Sequence, residues 1–348
     1  MPLVFSQISH SYGVTPVLKE LDFAVEPGQI TCLLGPSGGG KSTLLRLAAG
    51  LERVQHGEIH VDDELLASAG LHPPPEARPV GLMFQENALF PNMTVAENIT
   101  FGIRNLSRRG QQEKVQELLQ LVGLENYGHR YPHQLSGGQQ QRIALVRSLA
   151  PEPKILLMDE PYASIDITLR RTLREAARRT IKEKGTTAIL VTHDPDEAME
   201  MADKIAVLDQ GVIAQIGTPQ EIFESPATVA VATMFGGSQR LDISAADDRG
   251  FDTAFGRIQA EADRLHSYRD AHTLVVRPKG IRLAKNEQSN VVISDLRYIG
   301  DDWLAFLTNM DTSTMTEPLR VLIHDVNEYR LGDRVDLIAN EAGIFLFK

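Results

Sequence analysis

The stretch Gly35-Pro36-Ser37-Gly38-Gly39-Gly40-Lys41-Ser42, followed by Thr43, constrains this chain more than any other. It fits the pattern G-x-x-x-x-G-K-S/T, a loop whose glycines let the backbone curl until its N–H groups point inward at phosphates. Residues 29–34 before it read as a buried strand. Residues 44–49 after it read as a helix, with Gly50 as its stop. Strand, glycine loop and helix is the context that separates a phosphate cradle from an ordinary glycine-rich turn. The helix N-terminus adds partial positive charge. Lys41 can bridge the β- and γ-phosphates of a nucleotide, Ser42 can ligate Mg²⁺, and Thr43 can reach the α-phosphate.

At 348 residues the chain is long enough for two domains with separate cores. A net charge of −11 argues against a nucleic-acid binder that works by neutralising phosphates. The single cysteine, Cys32, cannot form an internal disulfide, which fits a reducing compartment. The opening Met1-Pro2-Leu3-Val4-Phe5 shows neither the basic region nor the long apolar core of a signal peptide. No apolar run approaches the ~18 residues needed to span a bilayer.

Residues 3–8 and 21–25 read as strands, with Tyr12 in the turn Ser11-Tyr12-Gly13, and residues 57–66 as a hairpin. Residues 80–84 are a further buried strand, ending at Gln85. From about 86 to 150 the pattern turns helical; residues 115, 118, 119 and 122 form one apolar face. The run 154–159 is continuously apolar up to Asp159, as expected of a parallel strand covered on both faces. An amphipathic helix over 167–183, a buried strand over 187–191, a hairpin over 204–216 and a short helix over 219–224 follow. A boundary is expected near Gly236-Gly237-Ser238. Beyond it, short strands over 274–277, 291–298, 303–307, 319–323, 334–338 and 344–347 suggest a small β-barrel or sandwich. The expected architecture is therefore an α/β domain over 1–235, with a helical lobe at 86–150, and an all-β domain over 236–348.

Two further groups sharpen the chemistry. Asp159 ends its strand and can hold Mg²⁺ through water. Glu160, one residue on, is placed to orient and deprotonate an attacking water. Leu135-Ser136-Gly137-Gly138-Gln139 offers a second anion-binding corner, a serine and two glycines at a helix start. One γ-phosphate does not need two such corners in one domain. A head-to-tail homodimer, each chain closing the other's nucleotide site, explains both.

With these motifs in order, residues 1–235 resemble the nucleotide-binding subunit of an ATP-binding-cassette (ABC) transporter. The resemblance rests on the loop at 35–42, Gln85, the LSGGQ sequence at 135–139, the pair Asp159-Glu160, the segment Ala163-Ser164-Ile165-Asp166, and His193. It implies a P-loop nucleoside-triphosphatase fold with a mostly parallel sheet core, acting on ATP with Mg²⁺. It implies that Tyr12 stacks on adenine, that Gln85 touches Mg²⁺ or the attacking water, and that His193 bonds the γ-phosphate and positions Glu160. It implies that Asp166 contacts the partner's phosphate loop. The chain departs from the family at Gly39, where Cys or Ser is usual, at Tyr162 and Ile165, where Leu is usual, and at Ser164, where Ala is usual. None of these removes a catalytic group.

Residues 87–95 match the lobe that receives a cytoplasmic helix of the membrane permease. Val275-Val276-Arg277-Pro278, followed by Ile281-Arg282-Leu283, resembles the OB-like regulatory β-domain of maltose-type, binding-protein-dependent importers. That points to a peripheral subunit on the cytoplasmic face of a bacterial inner membrane, with a permease as partner and a periplasmic or extracellular solute-binding protein as an indirect one. Segments 74–81 and 130–142 look most like ferric-iron importer ATPases, and polyamine, sulfate and sugar importers share much of both. A soluble ABC ATPase usually carries two cassettes or a coiled-coil insert, which this chain lacks.

Overall fold

The computed structural model describes residues 1–83, 89–163, 165–247, 249–260, 271–311, 317–324 and 328–348. The chain divides into two compact units, Met1–Pro219 and Gln220–Lys348. The first unit begins β1 (Leu3–Tyr12), β2 (Thr15–Val25), β3 (Ile30–Leu34), α1 (Lys41–Ala49), β4 (His56–Val61), β5 (Glu64–Ser68) and β6 (Val80–Met83). Its lobe holds α2 (Val95–Thr100), α3 (Arg108–Leu121) and α4 (Gly137–Leu149). It ends with β7 (Ile155–Asp159), α5 (Ile167–Glu183), β8 (Thr187–Thr192), α6 (Pro195–Met201), β9 (Lys204–Asp209) and β10 (Val212–Gly217).

These strands form two sheets. The antiparallel one has the order β2-β1-β4-β5, and the other the order β10-β9-β3-β8-β7-β6. In the second sheet β9, β3, β8, β7 and β6 run parallel and only β10 is antiparallel. Every residue of β3, β7 and β8 is buried, as a strand covered on both faces requires. The antiparallel sheet alternates instead. On β1 the inward set is Leu3 and Phe5, then Ile8 and His10. The switch from odd to even positions occurs at a bulge around Gln7, whose φ is 52°. One core joins Phe5 and Phe23 of this sheet, Leu44 and Leu47 of α1, and Leu33, Leu157 and Val191 of the parallel sheet.

Parallel strands carry their carboxyl ends to one edge, where loops collect into a site. Leu34 pairs with Thr192, and Asp159 with Val191. The register thus sets the phosphate loop, Asp159-Glu160 and His193 beside one another as the continuations of β3, β7 and β8.

The second unit contains most of α7 (Pro219–Glu224), then α8 (Val229–Met234), β11 (Gln239–Asp242), β12 (Ala245–Asp247), β13 (Gly250–Thr253), β14 (Gly256–Gln259) and β15 (Thr273–Val276). It continues through β16 (Ile281–Lys285), β17 (Val291–Tyr298), β18 (Trp303–Asn309), β19 (Leu319–Ile323), β20 (Val335–Ala339) and β21 (Ile344–Phe347). Three sheets result, β11-β15-β21, β12-β13-β14-β20-β16 and β17-β18-β19. Leu241, Ile258, Leu274, Ile293, Leu307, Val321 and Leu337 belong to their shared core.

The structure differs from the sequence-based expectation in three respects. Tyr12 is not in the turn but is the last residue of β1, paired with Thr15. Helices α2 and α8 and strands β11 to β14 had no counterpart in the periodicity. The division falls at Pro219 rather than at the glycine pair near 236. Arg277, next to β15, explains the last point. Its guanidinium lies 3.5 Å from the Phe223 ring centroid and 4.6 Å from that of Phe345, and it donates to the Phe223 carbonyl at 2.6 Å. Burial pulls this guanidinium down to about 10, and the stacking that holds it makes α7 part of the β unit.

Candidate active site

The phosphate loop is built by glycine geometry. Gly40 sits at the N-cap of α1 with φ 97°, and a Cβ there would lie 2.7 Å from Leu18 and 2.9 Å from the Val17 carbonyl. A Cβ on Gly35 would lie 2.2 Å from the Leu208 carbonyl oxygen. Neither position accepts a side chain. With glycine at the N-cap, no side chain caps α1, so the N–H groups of its first turn stay available to an anion. Lys41 is buried, and its Nζ donates to the carbonyls of Gly35 and Pro36, both at 2.9 Å. Burial pulls its ammonium down, while Glu160 and Asp159 pull it up. A third donor of the ammonium remains for a ligand.

Ser42 and Thr43 follow on the same turn. Ser42 Oγ donates to Asp159 Oδ1 at 3.0 Å. Burial raises the Asp159 carboxyl and the serine hydrogen bond opposes the rise. A hydroxyl and a carboxylate oxygen at one point are hard donors, which suits Mg²⁺. Among the described residues no group of three or more His, Cys, Asp or Glu is arranged to hold a metal. A cation at Ser42 and Asp159 would complete its shell with phosphate and water oxygens.

Glu160 and His193 meet directly: His193 Nδ1 lies 3.0 Å from Glu160 Oε1. Glu160 has φ 48°, an unfavourable conformation for a residue with a Cβ. Backbone hydrogen bonds hold it there. Its N–H donates to the Val191 carbonyl at 3.0 Å, and its carbonyl accepts from Gln141 Nε2 at 3.0 Å. A carboxylate and an imidazole in contact, beside a phosphate cradle, can position a water and take its proton.

Tyr12 is 43% exposed, so part of its side chain is open to a ligand. Its hydroxyl lies 3.5 Å from Thr43 Oγ1 and from Glu52 Oε1, which places the ring beside the phosphate loop. Ser136 is the N-cap of α4. Its hydroxyl accepts from the Gln139 N–H, and the Gln139 side chain accepts from the Ser136 N–H at 3.0 Å, a reciprocal capping box across Gly137 and Gly138. Gln139 also reaches the Tyr127 hydroxyl at 3.4 Å. Asp166 is the N-cap of α5 and accepts from the Thr168 N–H at 2.9 Å. Gln85 and Ser164 lie outside the described residues. So do Asn87 and Ala88 of the expected permease socket; within its remainder, Phe90 packs on Phe101 with ring centroids 4.5 Å apart.

Two residues of the site were missed by sequence reasoning. Gln141 ties α4 to the Glu160 backbone, and its only signal is its place in the run Gln139-Gln140-Gln141. Arg78, buried at 6% exposure, caps the far end of α1 by donating to the carbonyls of Leu47 at 2.7 Å and Ala48 at 2.9 Å.

Residues 18–163 match the family model described as ABC transporter. The spermidine/putrescine import ATP-binding protein of Marinobacter nauticus is 37% identical over 346 residues, covering 96% of this chain and 91% of the relative. The chain belongs to the ABC transporter family. It is an ATPase of the kind found in import ATP-binding subunits. An Fe(3+) ions import ATP-binding protein of Rhodococcus jostii is 37% identical over 334 residues, 95% of this chain and 94% of that one. A sulfate/thiosulfate import ATP-binding protein of Caulobacter vibrioides is 44% identical over 252 residues, 70% of this chain and 72% of that one. Among solved structures, a dimeric ATP-binding cassette in a post-hydrolysis state, bound to ADP and Pi, superimposes with a TM-score of 0.57 at 28% identity. It covers 62% of this ABC chain and 98% of its own. Among the described residues no helix of the ABC chain is long and apolar enough to cross a membrane.

Proposed function

We propose that this ABC ATPase is the motor of an importer, working as a head-to-tail homodimer on the cytoplasmic face of a bacterial inner membrane. Its direct partner is a permease, which receives cargo from a periplasmic or extracellular solute-binding protein. The observation that carries the hydrolytic part is the 3.0 Å contact of Glu160 and His193 beside the Ser42–Asp159 pair and the uncapped start of α1.

In this reading Tyr12 stacks on the adenine, a contact worth about 1–3 kcal/mol in comparable base–aromatic stacks. The N–H groups at the start of α1 and the Lys41 ammonium hold the phosphates, and Thr43 meets the α-phosphate. Ser42 and Asp159 would hold Mg²⁺, and the resemblance assigns Gln85 to the metal or the attacking water. Bound with the nucleotide, Mg²⁺ neutralises charge on the β- and γ-phosphate oxygens. His193 bonds the γ-phosphate and fixes Glu160, which accepts the proton of the attacking water as the water oxygen bonds to the γ-phosphorus and the bond from that phosphorus to the β–γ bridging oxygen breaks, releasing ADP. Ser136, Gly137, Gly138 and Gln139 of the partner close on the γ-phosphate, and Asp166 meets the partner's phosphate loop. ATP-driven closure moves the α2–α4 lobe against the permease as a rigid body.

The cargo is ferric iron in our reading. Support comes from segments 74–81 and 130–142 and from the Fe(3+) import relative, which matches nearly the whole chain. The spermidine/putrescine relative matches as long a stretch at the same identity, which favours a polyamine as the second reading. Cellular uptake of labelled ferric iron, putrescine, sulfate and maltose, with wild type against Lys41→Ala, separates them. Loss of iron uptake alone is expected. Loss of another solute keeps the motor and replaces the cargo, and uptake unchanged for all four reopens the soluble-ATPase reading.

A further inference from the structure

The two elements that carry Glu160 and His193 also carry two buried polar groups that the hydrolytic reading does not use. Tyr162 is two residues beyond Glu160 and fully buried at 0% exposure. Glu197 lies in the first turn of α6, four residues beyond His193, at 4% exposure. Neither is there for packing alone. Phenylalanine fills nearly the volume of tyrosine without a hydroxyl, and a buried carboxyl is costly anywhere in a core. Yet Tyr162 Oη and Glu197 Oε1 have no hydrogen-bond partner among the described residues. Buried polar atoms left so are rare and call for a reason.

Their surroundings supply one. The Glu197 carboxyl also bonds the Thr192 side chain, and Thr192 Oγ1 accepts from the Asp194 N–H at 3.0 Å. Glu197 thus grips the backbone on both sides of His193. The α5 face adds Arg174, whose Nε is likewise unpartnered, and Arg170, which pairs with Asp194 at 3.7 Å. From β3, the buried Cys32 faces the same group. Tyr162 and Glu197 are within electrostatic reach of each other: burial raises the tyrosine hydroxyl most, and the Glu197 charge raises it further.

We propose that Tyr162 and Glu197 are positioning residues, the tyrosine hydroxyl donating to the Glu197 carboxyl through one buried water, so that the loop after β7 and the start of α6 move as one piece and hold Glu160 against His193. The brace rests on the reading that Glu160 and His193 carry hydrolysis. A bridging water would satisfy both unpartnered atoms, Tyr162 Oη and Glu197 Oε1.

The test is steady-state ATP hydrolysis by the full chain, alongside binding of a fluorescent ATP analogue. Tyr162→Phe, which keeps the ring, and Glu197→Leu each lower kcat about tenfold, the scale expected when a reacting group is displaced by a fraction of an ångström. KM and analogue affinity stay within about twofold of wild type, since the phosphate loop is untouched. Glu197→Gln keeps an acceptor oxygen and restores most of the rate. The double variant Tyr162→Phe/Glu197→Leu is no slower than the worse single one, because a shared bond is lost once. Unchanged kcat in Tyr162→Phe, or losses that multiply in the double variant, overturn the brace while Glu160→Gln still abolishes turnover. Retained turnover in Glu160→Gln overturns the underlying reading, and the brace with it.

Discussion

Burial is what sets individual side chains of this protein apart from their solution behaviour, and Glu197 shows it most clearly. Desolvation raises its carboxyl from the ordinary 4.5 to about 7, against a hydrogen bond from Thr192 and the charge of Arg174. Between those values the folded chain keeps a proton that the unfolded chain has released. Stability therefore falls as pH rises through that window and stays lower above it. Glu197→Gln cannot titrate, so its melting temperature should gain on that of wild type between about pH 5 and pH 8, by up to ~3 kcal/mol in stability. A gap that stays constant over that range would mean the carboxyl titrates as in water. The place of Glu160 could be read from the apolar run that ends at Asp159, whereas His193 was singled out only by the family resemblance of Thr192-His193-Asp194. Glu197 was not legible, since the letters beside it do not say which face of α6 is covered.

At the level of elements, α1 is finished differently at its two ends. Its N-terminus has a glycine cap and open N–H groups, and its C-terminus has Gly50 with φ 82° and the Arg78 guanidinium over the Leu47 and Ala48 carbonyls. Removing that guanidinium takes a donor from two carbonyls, of which Leu47 keeps the Gly50 N–H at 3.3 Å, at a cost of about 1–3 kcal/mol. Arg78→Ala should lower the melting temperature by roughly 2–4 °C per kcal/mol for a unit of this size. It should also weaken ATP binding, because α1 positions Lys41 and Ser42. Unaltered melting would show that water replaces the arginine. The parallel strands and α3, α4 and α5 could be read from periodicity because they are long and strongly patterned. Strand β12 spans only Ala245–Asp247, too short for an alternation to register. Helix α8 reads Val-Ala-Val-Ala-Thr-Met, six residues with no polar face to set against an apolar one. Only the Thr228 cap, whose side chain accepts from the Val231 N–H, marks its start.

For the whole molecule, the division at Pro219 has a practical consequence. A chain ending at residue 235 keeps Phe223 and Phe235 but removes Arg277, which stacks on Phe223, and β15, against which α8 packs. A chain ending at Pro219 carries neither phenylalanine. The 1–219 chain should remain soluble and bind ATP, while the 1–235 chain aggregates; equal solubility of the two would place the division later. The second anion corner bears on assembly. Its hydrogen bonds lie within its own lobe, through the Ser136–Gln139 box and Tyr127, which fits the proposal that it serves a ligand brought by another chain. The molar mass of Glu160→Gln in solution with ATP, by light scattering, tests this most directly. With binding intact and hydrolysis blocked, a stable dimer is expected, and Lys41→Ala under the same conditions should stay monomeric. A Glu160→Gln chain that binds ATP yet remains a monomer would contradict the shared two-chain site.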